Sequence, residues 1–450
     1  MENVQTQSFW RQVLSLALPV AAQGLLYAVL GIVNQIMVGE KGEASVVAVS
    51  LAGKTFGILN FALMGLTAGL GILAAQHIGK NQAEKIAKIQ GMVLFVGLLI
   101  SLAFTLFSLL LPELSMRLFT ADPKVVAIGV PYLRWYAWAY LPVCIMMIYS
   151  TTLRAAGLVK LPMVAGFIAV LIEAGLNYCL IFGNFGFPEL GVTGAGLAGA
   201  ISVWVELAIL MLIIYIRRLP GSFKLKDLLT FYPFDAEIHQ LWLLTLPLLG
   251  DNLSFVLADS ISGSIYGYMG TVQTVAVTIM MPVQLLLITF FGGFSSAASV
   301  MIGHRLGRDE MEHAYKTGKQ ILWLSLIAPL IFGFILLLGM NPYLAIYHLS
   351  AYSLSLTRWV MLAMVLFIPM KVMNMVLGSV LGAGGETKFI FYISLLGGWI
   401  FAVPLGLLTA FVLHWSIIWV FTAITSEEIV RVLLGLWKMR QRTWLNNLVS

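Results

Sequence analysis

Charge is scarce in this chain. Asp, Glu, Lys and Arg make up 10% of its 450 residues while hydrophobic residues make up 60%. A globular domain is nearer one quarter charged and one half apolar. With a mean hydropathy of +0.95, no soluble fold can bury this much apolar surface, because the interior fraction rises only slowly with size. Lipid is therefore the expected solvent, which excludes a soluble enzyme, a nucleic-acid binder and a disordered chain. Cysteine is also nearly absent. Cys144 and Cys179 both fall in apolar runs, where free cysteine behaves as a small hydrophobe, so no disulfide framework is expected. The six histidines lie at span ends or in loops with no H-E-x-x-H or Cys/His cluster, which argues against a metal enzyme. No P-loop is present, so ATP is not expected as a direct energy source, nor any cofactor. The opening residues MENVQTQSFW are polar and lack a basic n-region with a cleavage site, so no removable signal peptide is expected.

What is abundant is long apolar runs. A helix needs about 20 mostly apolar residues to cross the hydrocarbon core. The runs predict spans at 13–39, 46–76, 90–112, 127–154, 161–183 and 190–216, then at 241–266, 273–303, 320–340, 355–382, 389–413 and 415–437. The fold class expected is an all-α membrane protein of twelve transmembrane helices. Its domains are an N-terminal lobe at 1–216, a cytoplasmic linker at 217–240 and a C-terminal lobe with a basic tail at 241–450. Lys80, Lys85, Lys88, Arg154, Lys160, Arg217, Arg218, Lys224, Lys226, Arg305, Arg308, Lys316, Lys319 and Lys388 then share one side with the tail residues Lys438, Arg440 and Arg442, against Lys41, Arg117 and Lys124 on the other. The positive-inside rule places both termini in the cytoplasm. Trp437 and Trp444, beside the basic tail, are expected to be interfacial anchors.

The two halves repeat at a constant offset. Adding 228 carries Leu18-Pro19 to Leu246-Pro247, Gly65 to Gly293, Gly79 to Gly307, Glu84 to Glu312, Ala155 to Ala383, Gly157 to Gly385 and Lys160 to Lys388. Six spans per repeat is even, so both six-helix lobes enter from the same side, related by a parallel pseudo-two-fold axis. Transporters built this way hold substrate near the midplane and expose it alternately.

Several segments carry a family resemblance: LPVAAQGLLYAVLGIVNQIMVG (18–39), LTAGLGILAAQHIGKNQAEK (66–85), TTLRAAGLVKLPM (151–163), LIFGNFGFPELGVTGAGLAGAIS (180–202), SSAASVMIGHRLGRDEMEHA (295–314) and VLGAGGETKF (380–389). From before Pro19 to at least Lys388 the chain resembles the multidrug and toxic compound extrusion (MATE) family. The resemblance implies a twelve-helix, two-lobe, V-shaped exporter driven by inward flow of protons or sodium ions, with Pro19 at the first-helix position linked to bending. It also exposes departures. Relatives usually carry an Asp five residues before the Gly closing the first helix, where this chain has Asn34. They carry an Asn where this chain has Glu173, with a second Asn or Asp matched by Asn177. In one branch a Glu lies eight residues after the seventh-helix proline, here Phe255, and a tenth-helix Asp falls on Lys371.

Charges at bilayer depth are rare and functional by default, each costing at least about 2.5 kcal/mol if left ionised and unpaired. Lys54, Glu173, Asp251, Asp259 and Lys371 stand out, with Glu206 nearer the cytoplasmic end of its helix. Glu173 with Asn177 one turn beyond and Asn34 nearby is expected to be the proton or cation switch, with a possible sodium site near Glu173 and Asn177. The competing expectation is a static salt bridge from Glu173 to Lys54. Asp251 and Lys371 are expected to form a second-lobe charge pair that either lines a cavity or merely holds the lobe together. Asp259 lies nearer the outer leaflet. Unpaired, the two lysines would favour anionic cargo; paired, they leave cargo charge open. The methionines crowding spans eight and ten are core or an adaptable drug-contact wall. Glycine clusters such as GAGLAG (194–199) serve close helix packing.

The reading that results is a monomeric inner-membrane antiporter, not an enzyme, with a small amphipathic or cationic substrate, a proton or sodium ion and membrane lipid as partners. The alternative is a flippase for a lipid-linked or anionic substrate.

Overall fold

A computed structural model describes residues 9–217, 219, 236–347 and 349–449. Among these, helices account for nearly all regular structure and no strand occurs. We number the long helices α1 (Phe9–Gly39), α2 (Glu43–Gly79), α3 (Ala83–Leu110), α4 (Pro123–Ala155), α5 (Lys160–Phe182), α6 (Val192–Arg217), α7 (Ala236–Tyr268), α8 (Thr271–Gly307), α9 (Met311–Ala345), α10 (Ala351–Ala383), α11 (Thr387–Val412) and α12, which comprises Ile417–Thr425 and Glu427–Gln441. Eleven are long and apolar enough to cross a membrane. The twelfth is interrupted at Ser426 and carries Glu427, Glu428 and Arg431 in its second segment. The expected linker is helical at its edges, Arg217 closing α6 and Ala236–Gln240 opening α7. Residues 218 and 220–235, with Lys224 and Lys226, lie outside the described residues.

Local chemistry sets the breaks. Asp122 caps α4 by accepting from the Lys124 backbone N–H at 2.9 Å, and Pro123 occupies the first turn, where its missing N–H costs nothing. In α11 the backbone widens to π-helix at Leu396–Ala402 and again at Leu408–Val412. Pro404 lies just past the first widening, and a helix-interior proline removes one hydrogen bond and crowds the carbonyl four residues back. The extra residue of a π-turn relieves that crowding.

The repeat is written into the backbone. α2 and α8 are both 37 residues long and start and end at positions 228 apart. Left-handed residues recur at the same offset: Gly42 with Gly270, Asn81 with Asp309, and Gly157 with Gly385. At Gly42 and Gly270, φ is 106° and 118° with ψ near extended, a region open essentially to glycine alone.

The chain forms two compact units, Ala22–Thr245 and Met1–Ala21 with Leu246–Ser450. The change-overs fall inside α1, two residues past Pro19, and inside α7. One large apolar core holds the second of these units together, with Phe291, Leu306, Val376 and Trp444 fully buried in it. In the other unit, buried clusters form around Met116 and Leu133, around Tyr149 and Leu210, and around Ala74 and Ile86. Trp437 is exposed, but Trp444 is fully buried and donates from Nε1 to the Met439 carbonyl at 3.1 Å. The expected anchor at Trp444 is thus a core residue, docked over Gly384, where a Cβ would collide with the Trp444 backbone. Both cysteines are free.

Candidate functional site

Glu173 lies nine residues before the end of α5, and its two oxygens accept from two other helices. Asn34 Nδ2 on α1 donates to Oε1 at 2.8 Å, and Ser202 Oγ on α6 lies 2.8 Å from Oε2. Asn177, one turn along α5, is buried and donates from Nδ2 to Asn34 Oδ1 at 2.7 Å. The three residues expected to cluster do cluster, with Ser202 as a fourth member. Tyr132 and Tyr136 of α4, stacked with centroids 5.5 Å apart, lie close enough to feel the Glu173 charge. Gly199 of α6 faces the carboxylate: a Cβ there would stand 3.8 Å from Oε1 and press on the Tyr136 ring.

Lys54 does not bridge to this acid. It is exposed, with Nζ 5.8 Å from the centroid of the Phe119 ring, a cation–π arrangement. The static Glu173–Lys54 bridge is therefore corrected: among the described residues no cation pairs with Glu173 within 4.0 Å. Ser202 Oγ is also 2.9 Å from the Gly199 carbonyl. A hydroxyl has one proton and accepting lone pairs. It can donate to an ionised Glu173, or donate to Gly199 and accept from a protonated one. Among the described residues no group of three His, Cys, Asp or Glu side chains is placed to hold a metal ion. The Asn34 and Glu173 oxygens already accept from side-chain donors, and Asn177 Oδ1 is buried without a partner.

A second polar chain lies in the same unit. Glu206 on α6 is 3% exposed and accepts from Tyr27 Oη on α1 at 2.6 Å. Gln23 Nε2 is 3.4 Å from Tyr27 Oη and 3.1 Å from the Pro162 carbonyl, and Arg154 Nη2 donates to Gln23 Oε1 at 2.9 Å. The sequence marks Glu206 as an intramembrane charge but gives it no partner. Arg154, grouped there with the loop charges, reaches inward instead.

In the other unit, the expected Asp251–Lys371 pair is not formed. Lys371 Nζ of α10 faces Glu428 Oε1 of α12 at 3.8 Å, and Asn374 Nδ2 donates to Glu428 Oε2 at 2.8 Å. Asp251 of α7 instead lies beside Ser394 of α11 and the Arg431 guanidinium of α12. Arg431 also pairs with Glu427 at 2.9 Å and donates to the Ser394 carbonyl at 3.3 Å. Glu427, Glu428 and Arg431 are the functional-looking charges the sequence reading missed. They fall within span 415–437, where counting charges along the run would have found them. Asp259 is exposed and makes no hydrogen bond or ion pair among the described residues. Outside the spans, Lys41 and Glu189 pair at 2.6 Å. The hydrogen bond from Lys41 and then its charge hold the Glu189 carboxyl below its ordinary range.

The MatE family model matches residues 19–179 and again 247–408, two copies whose starts are 228 residues apart. The uncharacterized transporter YisQ of Bacillus subtilis (strain 168) is 22% identical over 441 residues, covering 96% of this chain and 94% of that protein. A probable multidrug resistance protein NorM of Streptococcus pneumoniae (strain ATCC BAA-255 / R6) is 24% identical, covering 84% and 83%. Among solved structures, a MATE protein in the straight conformation superposes with a TM-score of 0.87 at 18% identity, covering 98% of both chains. One in the bent conformation superposes with a TM-score of 0.85 at 17% identity, covering 97% of this chain and 96% of that one. Both share the twelve-helix fold. With its family model matched in each half, the chain belongs to the MatE family and is a multi-pass membrane transporter rather than an enzyme.

Proposed function

We propose that this transporter is an antiporter that exports amphipathic, cationic small molecules in exchange for protons, with Glu173 as the proton switch. The observation that carries this reading is the Glu173 environment. A carboxylate at bilayer depth with no cation within 4.0 Å among the described residues must be neutralised some other way, and the Ser202 hydroxyl can satisfy it in either protonation state. Asn34 and Asn177 hold the carboxylate in place and tie α1 to α5. A change of charge at Glu173 is thereby felt on α1, whose Pro19 lies two residues from the change-over between units. Solved MATE proteins occur both straight and bent, which supports Pro19 as the hinge for alternating access. The positive-inside bias places both termini in the cytoplasm of a bacterial inner membrane, and the NorM relative supports multidrug cargo. Six spans per lobe make a monomer sufficient. A sodium ion in place of the proton would find Asn177 Oδ1 unpartnered but would otherwise have to take oxygens that now accept from Asn34, Asn177 and Ser202.

The second reading, an anionic or lipid-linked cargo, draws on Lys54, whose ammonium is exposed. Lys371 no longer favours it, because Glu428 answers its charge. Proteoliposomes with imposed proton or sodium gradients, offered cationic dyes or anionic lipids, separate the readings. The wild type is expected to move dye against a proton gradient. Glu173→Gln, which keeps the volume and one acceptor oxygen, is expected to abolish that coupling. A Glu173→Gln protein that still concentrates dye would remove Glu173 from the mechanism.

A further inference from the structure

We propose that Glu206 is a second proton-carrying acid, the inner station through which the proton taken up at Glu173 leaves the first lobe. The inference rests on the antiport reading above and deepens it. Its foundation is the way α5 and α6 pack. Glu173 on α5 faces Gly199 of α6, and seven residues on, Glu206 of α6 faces Gly166 of α5, seven residues before Glu173. A Cβ at Gly166 would stand 2.7 Å from Tyr27 Oη and 3.2 Å from Glu206 Oε1, so only glycine leaves room for this carboxylate. Each helix thus carries one acid and one glycine at the same spacing. The two acids are about 10 Å apart along the axis, two turns at 1.5 Å per residue.

Between them lies Ser202. Its hydroxyl touches Glu173 Oε2, and it sits one turn before Glu206 on the same face of α6. Beyond Glu206 the chain continues through Tyr27 and Gln23 to Arg154, two residues from the helix-ending turn at Ala156 and Gly157. The groups facing Glu206 are Tyr27 and Gln23 from α1, Arg154 from α4 and Glu173 from α5. Among the described residues its one direct side-chain partner is the neutral Tyr27 hydroxyl. No cation lies within 4.0 Å among the described residues, since Arg154 is spent on Gln23. A static ion pair would put the guanidinium on the carboxylate; here an amide keeps them apart. An acid that is 3% exposed and lacks an adjacent cation is built to alternate between charged and neutral forms.

The transfer balances. The Glu173 carboxyl gives up its O–H proton, Glu206 carboxylate gains it, and Glu206 then releases it to water on the cytoplasmic side. Glu173 is left ionised and able to take the next proton from outside.

The test uses the full chain in proteoliposomes. Glu206→Gln is expected to lower proton-driven dye transport about a hundredfold or more, the cost of removing one proton-transfer group. Glu206→Asp, still an acid, is expected to restore most of it. Tyr27→Phe, which breaks the hydrogen bond but leaves the acid, is expected to lose far less than Glu206→Gln. Equal losses in Tyr27→Phe and Glu206→Gln would mean a mere clamp and overturn the proposal. Infrared difference spectroscopy across a pH jump gives an independent readout: one carboxyl C=O band should vanish in Glu206→Gln and a different one in Glu173→Gln. If no band is lost in Glu206→Gln, the proposal fails whatever the transport assay gives. If instead the wild type shows no proton-driven flux while the Glu206 band titrates, it is the antiport reading that fails.

Discussion

Glu428 is the side chain on which the second unit's charge arrangement turns. It is almost fully buried, its carboxylate shared between the Lys371 ammonium and the Asn374 amide. Removing one partner of a buried pair leaves an uncompensated charge, which costs about 3–5 kcal/mol when both are fully buried. Lys371 is about a quarter exposed, so a lower figure applies. We expect Lys371→Met to lower stability by about 1–3 kcal/mol and the double variant with Glu428→Gln to recover most of it. Thermal unfolding in detergent measures both. The Lys41–Glu189 pair behaves differently. Glu189 has a depressed pKa, so whatever the pair contributes is present at neutral pH and lost only as acid protonates the carboxylate. Because that loss falls on the acid side of the ordinary carboxylate range, the pair supplies no pH dependence near neutrality. At this scale the sequence revealed depth but not direction. Glu173, Asn34 and Asn177 are recognisable as a polar set along the chain. Which cation each acid meets depends on the rotation of helices that one sequence does not specify, so the expected Asp251–Lys371 pair and the competing Glu173–Lys54 bridge are both absent.

The same limit appears at the scale of elements, where α11 and α12 depart most from uniform spans. Apolar content announces both, yet the π-turns of α11 and the break at Ser426 arise from fitting Pro404 and the charges of α12 into one bundle. Gly397 marks the contact, since a Cβ there would meet Arg431 Nε and stand 2.8 Å from Glu427 Oε2. We expect Gly397→Ala to destabilise the protein by about 1–3 kcal/mol, the usual cost of overpacking. Gly175 of α5, with nothing within 4 Å of its missing Cβ, is the control. Gly175→Ala should be neutral or stabilising, because glycine in a helix interior costs about 0.5–1 kcal/mol relative to alanine. Opposite signs in the two variants, read from melting temperatures, are the expected outcome. Along α1, Val13 and Ala17 lie in one unit's core, while Gln23, Tyr27 and Asn34 are tied into the other unit by hydrogen bonds. Pro19 lies between. Pro19→Ala restores a backbone donor at this point and is expected to slow transport without lowering the melting temperature.

Over the whole molecule, the offset of 228 residues holds in sequence, in backbone and in side-chain position, and chemistry departs from it selectively. Gln23 corresponds to Asp251 and Gly166 to Ser394. Around these corresponding positions one unit places the Glu206 carboxylate and the other the Arg431 guanidinium. The frame is duplicated and the intramembrane charge is not, which fits the proposed assignment of proton handling to the first lobe alone. The architecture was legible because lipid imposes length and polarity on every span and duplication leaves a fixed spacing. The charge chemistry was not, because it is where the copies diverged. If the frame is duplicated in energy as well as in geometry, corresponding turns should respond alike. Gly42 and Gly270 both precede a 37-residue helix with φ above 100°. An alanine at either must adopt a conformation that costs about 1–3 kcal/mol, with no neighbour within 4 Å at Gly42 and only the Gln273 side chain at Gly270. Gly42→Ala and Gly270→Ala are therefore expected to lower stability by the same amount, and the double variant by their sum, since the substitutions fall in separate units and share no partner. A loss at one turn without its counterpart, measured by thermal unfolding in detergent, would show that the repeat survives as shape only.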